Sequence, residues 1–143
     1  MNFYISSRLS NIDQVRHIAN LLKGHGWTNT CDWTIFDLSS EDNLDNLRII
    51  GETEYDGVKA ADVVIVITPQ GRGTHIELGM AIASGKRVYI YHTDDSYFKC
   101  DDNTCSFYWL PQVKQLTGEI DAAIEVILRE NASLGQQELS ATQ

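Results

Sequence analysis

The sequence predicts a small doubly wound α/β domain, that is, a mostly parallel sheet with helices on both faces. Segments typical of strands alternate with segments typical of helices along the chain, which is the order expected of such sheets. The segment Asp62–Thr68 contains five consecutive β-branched apolar residues, and such a run is typical of a central strand that is buried on both faces. The length of 143 residues suits one domain with one hydrophobic core.

The first half of the chain holds two predicted strands and two predicted helices. Asn2–Ile5 is a short apolar run of β type. From Ile12 to Leu22 the apolar residues have helical spacing, and Gly24-His25-Gly26 ends this predicted helix, as glycines commonly do. Trp27–Phe36 is predicted as the second strand. The serines and acids of Ser39–Asp42 favour a helix N-terminus, and helical spacing then continues to about Ala61.

The second half continues the alternation. After the central strand we predict a helix at His75–Ser84, a strand at Arg87–Tyr91 and an amphipathic helix at Gly118–Glu130. The residues from Asn131 to Gln143 are polar, and we expect a flexible tail there. The predicted domain therefore covers residues 1–130.

The composition excludes several classes of function. Eleven Lys and Arg residues against 20 Asp and Glu residues give a formal charge of −9, so the chain repels nucleic-acid backbones and anionic membranes. No apolar run approaches the ~20 residues that span a bilayer, and no signal-peptide pattern is visible. The odd set Cys31, Cys100 and Cys105 predicts reduced thiols in the cytoplasm. No metal-ligand spacing is present, so we expect no metal.

The segment after the central strand is the most informative one. Pro69–Thr74 contains Gly71, Gly73 and Thr74 just before a predicted helix, where backbone N–H groups at the positive helix end can hold an anion or a polar ligand. We expect Glu77 in the first turn of that helix, where the dipole favours its ionised form. An ionised carboxylate there could act as a nucleophile. The alternative is a tight turn followed by an ordinary helix N-terminal acid.

Five other positions belong to the candidate site. Ser6, Ser7 and Arg8 follow the first strand, and Arg8 could bind a carboxylate or a phosphate or be a plain surface charge. Trp33 could stack on a flat base or belong to the core. Glu54 precedes the central strand and is a second candidate acid, or else part of a solvated acidic face.

Several motifs together resemble those of the nucleoside 2-deoxyribosyltransferase superfamily, which includes the 2′-deoxynucleoside 5′-phosphate N-hydrolases. They are the first strand with its serine-rich loop, Ala61–Val64, Gly73–Ala81 and Gly85–Val88. The resemblance extends from about Asn2 to Tyr91. It implies a flavodoxin-like fold and cleavage of the N-glycosidic bond between deoxyribose and base.

The resemblance also implies roles for particular residues. The glutamate that attacks the anomeric carbon corresponds to Glu77. The second acid, usually an aspartate, corresponds to Glu54. A tyrosine early in the first strand of some members corresponds to Phe3 or to the adjacent Tyr4, and a serine of the phosphate pocket of the hydrolases corresponds to Gly71.

A second resemblance concerns the same loop. Pro69–Glu77 is similar to the Pro-Gly-Gly-x-Gly-Thr-x-x-Glu motif of cytokinin-type phosphoribohydrolases, with Gln70 in place of the first glycine. Both families break a bond between a ribosyl group and a base. We therefore expect an enzyme without a cofactor that acts on a small nucleoside or nucleotide. The alternatives are a non-catalytic nucleotide-binding module and an NAD or nucleotide-sugar glycohydrolase.

The first resemblance implies a homodimer or a higher homo-oligomer in which a neighbour completes each site. The aromatic residues of Thr104–Trp109 are the candidate contact. A place in the core is the alternative for this cluster.

Overall fold

The computed structural model describes residues 1–36 and 43–141. Within these residues the chain forms one five-stranded parallel sheet in the order β2-β1-β3-β4-β5. The strands are β1 (Asn2–Ser6), β2 (Thr28–Asn29), β3 (Val63–Ile67), β4 (Arg87–Tyr91) and β5 (Val113–Leu116). All five residues of β3 are buried, because helices cover both faces of this central strand. The predicted doubly wound fold is confirmed.

The described residues form four α-helices: α1 (Ile12–Gly24), α2 (Leu44–Ala60), α3 (Arg72–Ala83) and α4 (Ile120–Ala141). Helix α1 packs against α4, whereas α2 packs against α3 and both of these contact β1. The helices therefore form two pairs, one for each face of the sheet. Short 3₁₀ helices lie at Leu9–Asn11, Trp33–Ile35 and Ser106–Trp109.

The predicted strand Trp27–Phe36 is mostly wrong. Only Thr28–Asn29 pairs with β1, and the chain then turns into a 3₁₀ helix. The Asp32 carboxylate caps this helix by accepting from the backbone N–H of Thr34 at 3.1 Å. Polar side chains that form hydrogen bonds with nearby backbone groups compete with the hydrogen bonds between strands. This competition shortens β2.

Two helix boundaries also differ from the prediction. Helix α3 begins at Arg72, three residues before His75, so part of the predicted turn is already helical. Helix α2 begins at Leu44 after Asn43, whose side chain accepts from the Asn46 backbone N–H at 3.1 Å. The predicted cap at Ser39–Asp42 lies outside the described residues.

The C-terminal part contains one unpredicted strand and a longer helix. Strand β5 buries only its first and last residues, so its pattern gives little indication of a strand. Helix α4 continues to Ala141, and the predicted end at Glu130 is wrong. Asn131 is 2 % exposed and accepts from Arg87 Nη1 at 2.6 Å, which ties this part of the helix to β4. The assignment of the last residues to a flexible tail stays a prediction.

The three cysteines are free thiols, and the cytoplasmic location expected from them stays a prediction. No helix within the described ranges is both long enough and apolar enough to cross a membrane.

Candidate active site

The candidate site lies at the carboxyl ends of β1 and β3. The strand order reverses between these two strands, and ligands of doubly wound sheets bind at such a point. The crevice there is a cavity of about 190 Å³. Among the described residues it is lined by Ser7, Arg8, Leu9, Trp33, Phe36, Glu54, Gly71, Gly73, Thr74 and Glu77. The structure thus brings eight of the nine predicted site residues together. The ninth, Ser6, is fully buried and is not among the lining residues.

A larger cavity, of about 820 Å³, opens at the opposite edge of the sheet. Its charged groups already have partners within the protein. Asp62 accepts from the backbone N–H of Asn2 at 2.8 Å, and Lys86 donates to the carbonyl of Lys59 at 2.6 Å. We therefore assign the candidate chemistry to the smaller crevice, where the carboxyl groups lack such partners.

Glu77 lies at the bottom of the crevice and is 8 % exposed. Because α3 starts at Arg72, Glu77 belongs to the second helical turn, where the dipole has little effect. Burial, with a smaller contribution from the nearby Glu54, raises the pKa of Glu77 from 4.5 to about 7. The expectation that the helix end favours the ionised form is therefore wrong, since desolvation dominates.

Two hydroxyl groups from β1 face Glu77. Tyr4 and Ser6 are alternate residues of one strand and therefore point to the same face. Both hydroxyls lower the pKa of Glu77, yet neither forms a well-aligned hydrogen bond with it. The Tyr4 and Ser6 hydroxyls and Oε2 of Glu77 are buried without a partner among the described residues. Burial also raises the pKa of Tyr4, so its phenol stays protonated and can donate.

The two residues of β1 that are candidates for the tyrosine implied by the resemblance point to opposite faces of the sheet. Phe3 points to the other face of the sheet, where its ring centroid lies 6.5 Å from that of Trp27. Tyr4 points towards Glu77. Of the two positions, Tyr4 is therefore the one that faces the carboxyl of Glu77, and its correspondence to the family tyrosine stays a prediction.

Glu54 lines the crevice from α2 and is half-buried, whereas Glu52 and Asp56 beside it are exposed. The solvated-face alternative thus describes its neighbours and not Glu54. Burial raises the pKa of Glu54. Glu54 also contributes to the raised pKa of Glu77, so the two carboxyl groups lie within electrostatic reach of each other.

Gly57 explains how α2 reaches this position. A Cβ added at Gly57 would lie 2.7 Å from the Cβ of Cys31 and 3.1 Å from the Tyr4 ring. Only a glycine therefore allows α2 to pack this closely on β1. Glu54 lies about one helical turn before Gly57, so the same close approach brings its carboxyl over the crevice.

The two loops of the crevice are tied together by Asn11, which the sequence analysis does not single out. Asn11 Nδ2 donates to Ser7 Oγ and to the carbonyl of Pro69, both at 2.8 Å. Ser7 Oγ in turn donates to the carbonyl of Ile67 at 2.9 Å. An asparagine just before a helix resembles an ordinary cap, so its sequence position alone does not indicate this role.

The glycines of the second loop leave the carboxyl accessible. A Cβ added at Gly73 would lie 3.6 Å from Oε1 of Glu77, so a longer side chain there would cover the carboxyl group. Thr74 is buried, and its Oγ1 accepts from the backbone N–H of Gly71 at 3.1 Å. The loop is thereby fixed without filling the crevice.

The aromatic candidate residues differ in how deeply they are buried. Trp33 is 8 % exposed, and its indole Nε1 donates to the carbonyl of Ile5 at 2.7 Å, so it is anchored in the core and lines the crevice as well. In the Thr104–Trp109 cluster, Tyr108 is buried against His75 while Phe107 and Trp109 are exposed. Among the described residues no group of three or more potential ligands could hold a metal.

The fold and the site define a class of protein: a flavodoxin-like α/β domain with two carboxyl groups in the crevice at its topological switch point. The sequence model of the nucleoside 2-deoxyribosyltransferase family matches residues 5–131. The chain belongs to this family.

Solved structures share the fold. The 2-deoxyribosyltransferase from Leishmania mexicana is 18 % identical, with a TM-score of 0.60, and the match covers 90 % of this chain and 97 % of that one. For the CMP N-glycosidase BcmB from Clostridium botulinum the identity is 16 %, the TM-score 0.57 and the coverage 89 % and 98 %. A conserved protein from Enterococcus faecalis V583 matches at 15 % identity and a TM-score of 0.55, with coverage of 91 % and 98 %. A search of curated proteins found no significant match.

Proposed function

We propose that this protein breaks the N-glycosidic bond of a nucleoside or nucleotide, with Glu77 as the nucleophile and Glu54 as the acid. The observation that carries the proposal is the presence of two carboxyl groups in one crevice, of which Glu77 is buried and faces the hydroxyls of Tyr4 and Ser6. Family membership supports the same bond type.

The proposed reaction follows from the environments of the two carboxyl groups, Glu77 and Glu54. The Glu77 carboxylate attacks C1′ as the C1′–N bond breaks, and the developing positive charge on the sugar favours an adjacent anion. The bonding pair leaves with the base, which takes a proton from Glu54. A carboxyl with a raised pKa is still protonated at a pH where an ordinary one is not, as a general acid requires. Water then releases the sugar, or a second base accepts it.

Glu77 also needs its ionised form to attack. With a pKa of about 7, a substantial fraction is ionised at neutral pH. The Tyr4 and Ser6 hydroxyls stabilise that form, because a carboxylate accepts hydrogen bonds more strongly than a neutral acid does. The ionised fraction of Glu77 therefore rises through neutral pH while the protonated fraction of Glu54 falls, so the first step should have a pH optimum between these two limits.

The test is a chromatographic screen for released base. The panel contains ribo- and deoxynucleosides, their 5′-monophosphates and NAD, each alone and with a second free base. Glu77→Gln should abolish release, and Glu54→Gln should slow it by about 10²–10⁴-fold, the usual contribution of a general acid. Glu52→Gln removes an exposed carboxyl from the same helix and serves as the matched control.

Each outcome of the screen has a defined meaning. Unchanged release by Glu77→Gln would contradict the assignment of the nucleophile. Binding of a panel member without any release would indicate a nucleotide-binding module instead, and turnover of NAD alone would indicate a glycohydrolase of larger substrates.

We further propose a homodimer that covers the α2–α3 side of the molecule. This side exposes several large apolar side chains, namely Leu44, Leu47, Ile49, Tyr55 and Ile76. Apolar surface of this kind favours a protein partner, and a second copy matches the shared sites implied by the family. Light scattering after gel filtration should give twice the chain mass of 16.1 kDa. Leu47→Asp should lower the measured mass towards that of a single chain. A wild-type monomer at all concentrations would contradict the dimer.

A further inference from the structure

Ser6 has a buried hydroxyl group that the fold does not use. It is the last residue of β1, and its side chain is fully buried. Its Oγ has no hydrogen-bond partner within the described ranges of the chain. The next residue, Ser7, is the internal comparison, because its Oγ donates to the carbonyl of Ile67 at 2.9 Å and accepts from Asn11 at 2.8 Å. Ser7 is therefore engaged by the surrounding loops, whereas the hydroxyl of Ser6 is still available.

The sheet fixes the direction in which the side chain of Ser6 points. Its backbone pairs with Val66 of β3, so the hydroxyl keeps only the rotation about the Cα–Cβ bond. Side chains alternate along a strand, and Ser6 therefore shares its face with Tyr4. The nearest acceptor on this face is the carboxyl of Glu77, whose pKa is lowered by hydrogen bonding with the Ser6 side chain.

The two carboxyl oxygens of Glu77 have different surroundings. Oε2 is buried and has no partner among the described residues. Oε1 lies on the side of Gly73, where an added Cβ would be 3.6 Å from it, and Gly73 is an exposed residue that lines the crevice. One carboxylate oxygen accepts two hydrogen bonds, so Oε2 has room for the hydroxyls of both Ser6 and Tyr4. Oε1 then faces the crevice without a competing donor.

Resting on the proposed N-glycosidase function, we propose that Ser6 is a positioning residue that holds Oε2 of Glu77, so that Oε1 is the oxygen that attacks the sugar. The Ser6 hydroxyl donates to Oε2 when the carboxyl is ionised. This role requires no contact with the substrate, in agreement with the burial of Ser6 and with its position outside the lining of the crevice.

A donor on Oε2 acts on the two steps of the reaction in opposite directions. In the first step an electron pair of Oε1 forms the bond to C1′, and the C1′–N pair leaves with the base, which takes a proton from Glu54. In the second step water attacks C1′ and gives its proton to Glu54, and the C1′–Oε1 pair returns to the carboxylate. A hydrogen bond stabilises that carboxylate, which is the reactant of the first step and the leaving group of the second. It therefore restrains the attack of the ionised carboxyl and accelerates the release of the sugar.

Urea unfolding tests the contact without any substrate. The four proteins are the wild type, Ser6→Ala, Glu77→Gln and the double variant, each measured from pH 4 to 9. Because Ser6 donates to the ionised carboxyl, the stability lost on Ser6→Ala should be small at pH 4 and should grow as the pH rises through about 7. In the Glu77→Gln background the same substitution should cause a loss that does not depend on pH.

Intact-mass spectrometry tests the role in the reaction. Each protein is mixed at pH 8 with the substrate that the screen identifies and is quenched with acid during turnover. The ratio of sugar-bearing to free enzyme should rise by up to about tenfold in Ser6→Ala, as the loss of one charge-assisted hydrogen bond gives. Ser6→Cys retains only a weak donor and should lie between the two. Ser84→Ala removes an exposed hydroxyl at the far end of α3 and should leave the ratio unchanged.

Each result decides between a positioning role and a structural one. A loss of stability in Ser6→Ala that does not change with pH would overturn the proposal, and so would an equal ratio of sugar-bearing enzyme in Ser6→Ala and the wild type. A pH-dependent loss without base release or a sugar adduct in any of the proteins would overturn the proposed function instead. The contact between Ser6 and Glu77 would then stand without a role in catalysis.

Discussion

Replacing Glu77 by glutamine should stabilise the protein at neutral and alkaline pH. The pKa of this carboxyl is 4.5 when exposed and about 7 in the fold. Between these two values the folded state binds more protons than the unfolded state, so stability falls as pH rises from about 4.5 to 7 and then levels off. Glutamine has nearly the same shape and does not ionise, so the variant avoids this loss.

The structure gives the size of the effect. The two pKa values differ by about 2.5, and each unit corresponds to about 1.4 kcal/mol. The variant should therefore exceed the wild type by about 3 kcal/mol at pH 8. For a chain of this length that is roughly 6–12 °C in Tm. At pH 4 and below, where the wild-type carboxyl is mostly protonated in both states, the difference should nearly vanish.

Urea unfolding followed by circular dichroism from pH 4 to 9 measures this difference directly. Glu52→Gln is the matched control, because its exposed carboxyl loses little solvation on folding. A difference between Glu77→Gln and the wild type that does not depend on pH would refute the reasoning, since a titration cannot produce it. A variant less stable than the wild type at pH 8 would refute it as well.

Gly57→Ala tests the packing of α2 on β1, with Gly51→Ala as its comparison, and Tyr4→Phe tests the hydroxyl that faces Glu77. Gly57→Ala should destabilise the fold by about 1–3 kcal/mol through overpacking, because the new Cβ would lie 2.7 Å from the Cβ of Cys31. Gly51→Ala in the same helix, with no atom within 4 Å of the added Cβ, should instead stabilise it by about 0.5–1 kcal/mol, and urea unfolding compares the two. Tyr4→Phe removes a hydroxyl that lowers the pKa of Glu77, so the acidic limb of the pH–rate profile should move to higher pH. An unmoved limb would show that the hydroxyl does not act on the carboxyl.

The periodicity of the sequence was sufficient for most of the fold. Strand β4 has its predicted bounds, and α1 begins at the predicted Ile12 and ends within the predicted glycine-containing stop. Both have a regular apolar pattern that only one type of element can bury. Strands β2 and β5 have no such pattern: one is two residues long, and the other buries only its ends. Their pairing depends on neighbouring strands, which a local pattern does not describe.

The sequence predicts which residues form the site, but it predicts their protonation and their contacts less well. Loop positions after the strands converge because the topology requires it. The protonation of Glu77 could not be predicted, because it depends on how deeply α3 places the side chain and on Glu54 from another helix. The role of Asn11 likewise depends on a contact with Pro69, 58 residues away.

The chain itself supplies a comparison that separates structural from functional buried polar groups. Asn131 and Glu77 are 2 % and 8 % exposed. Asn131 is fully engaged: it accepts from Arg87 and donates to the Tyr89 hydroxyl and to a helix carbonyl. Glu77 keeps a buried oxygen without a partner among the described residues, and so do the two hydroxyls that face it. Leaving such groups unpaired costs about 1–3 kcal/mol each, and a purely structural site gains nothing from it. The unpaired oxygens therefore favour a ligand-binding role for this crevice, whose ligand would complete the missing hydrogen bonds.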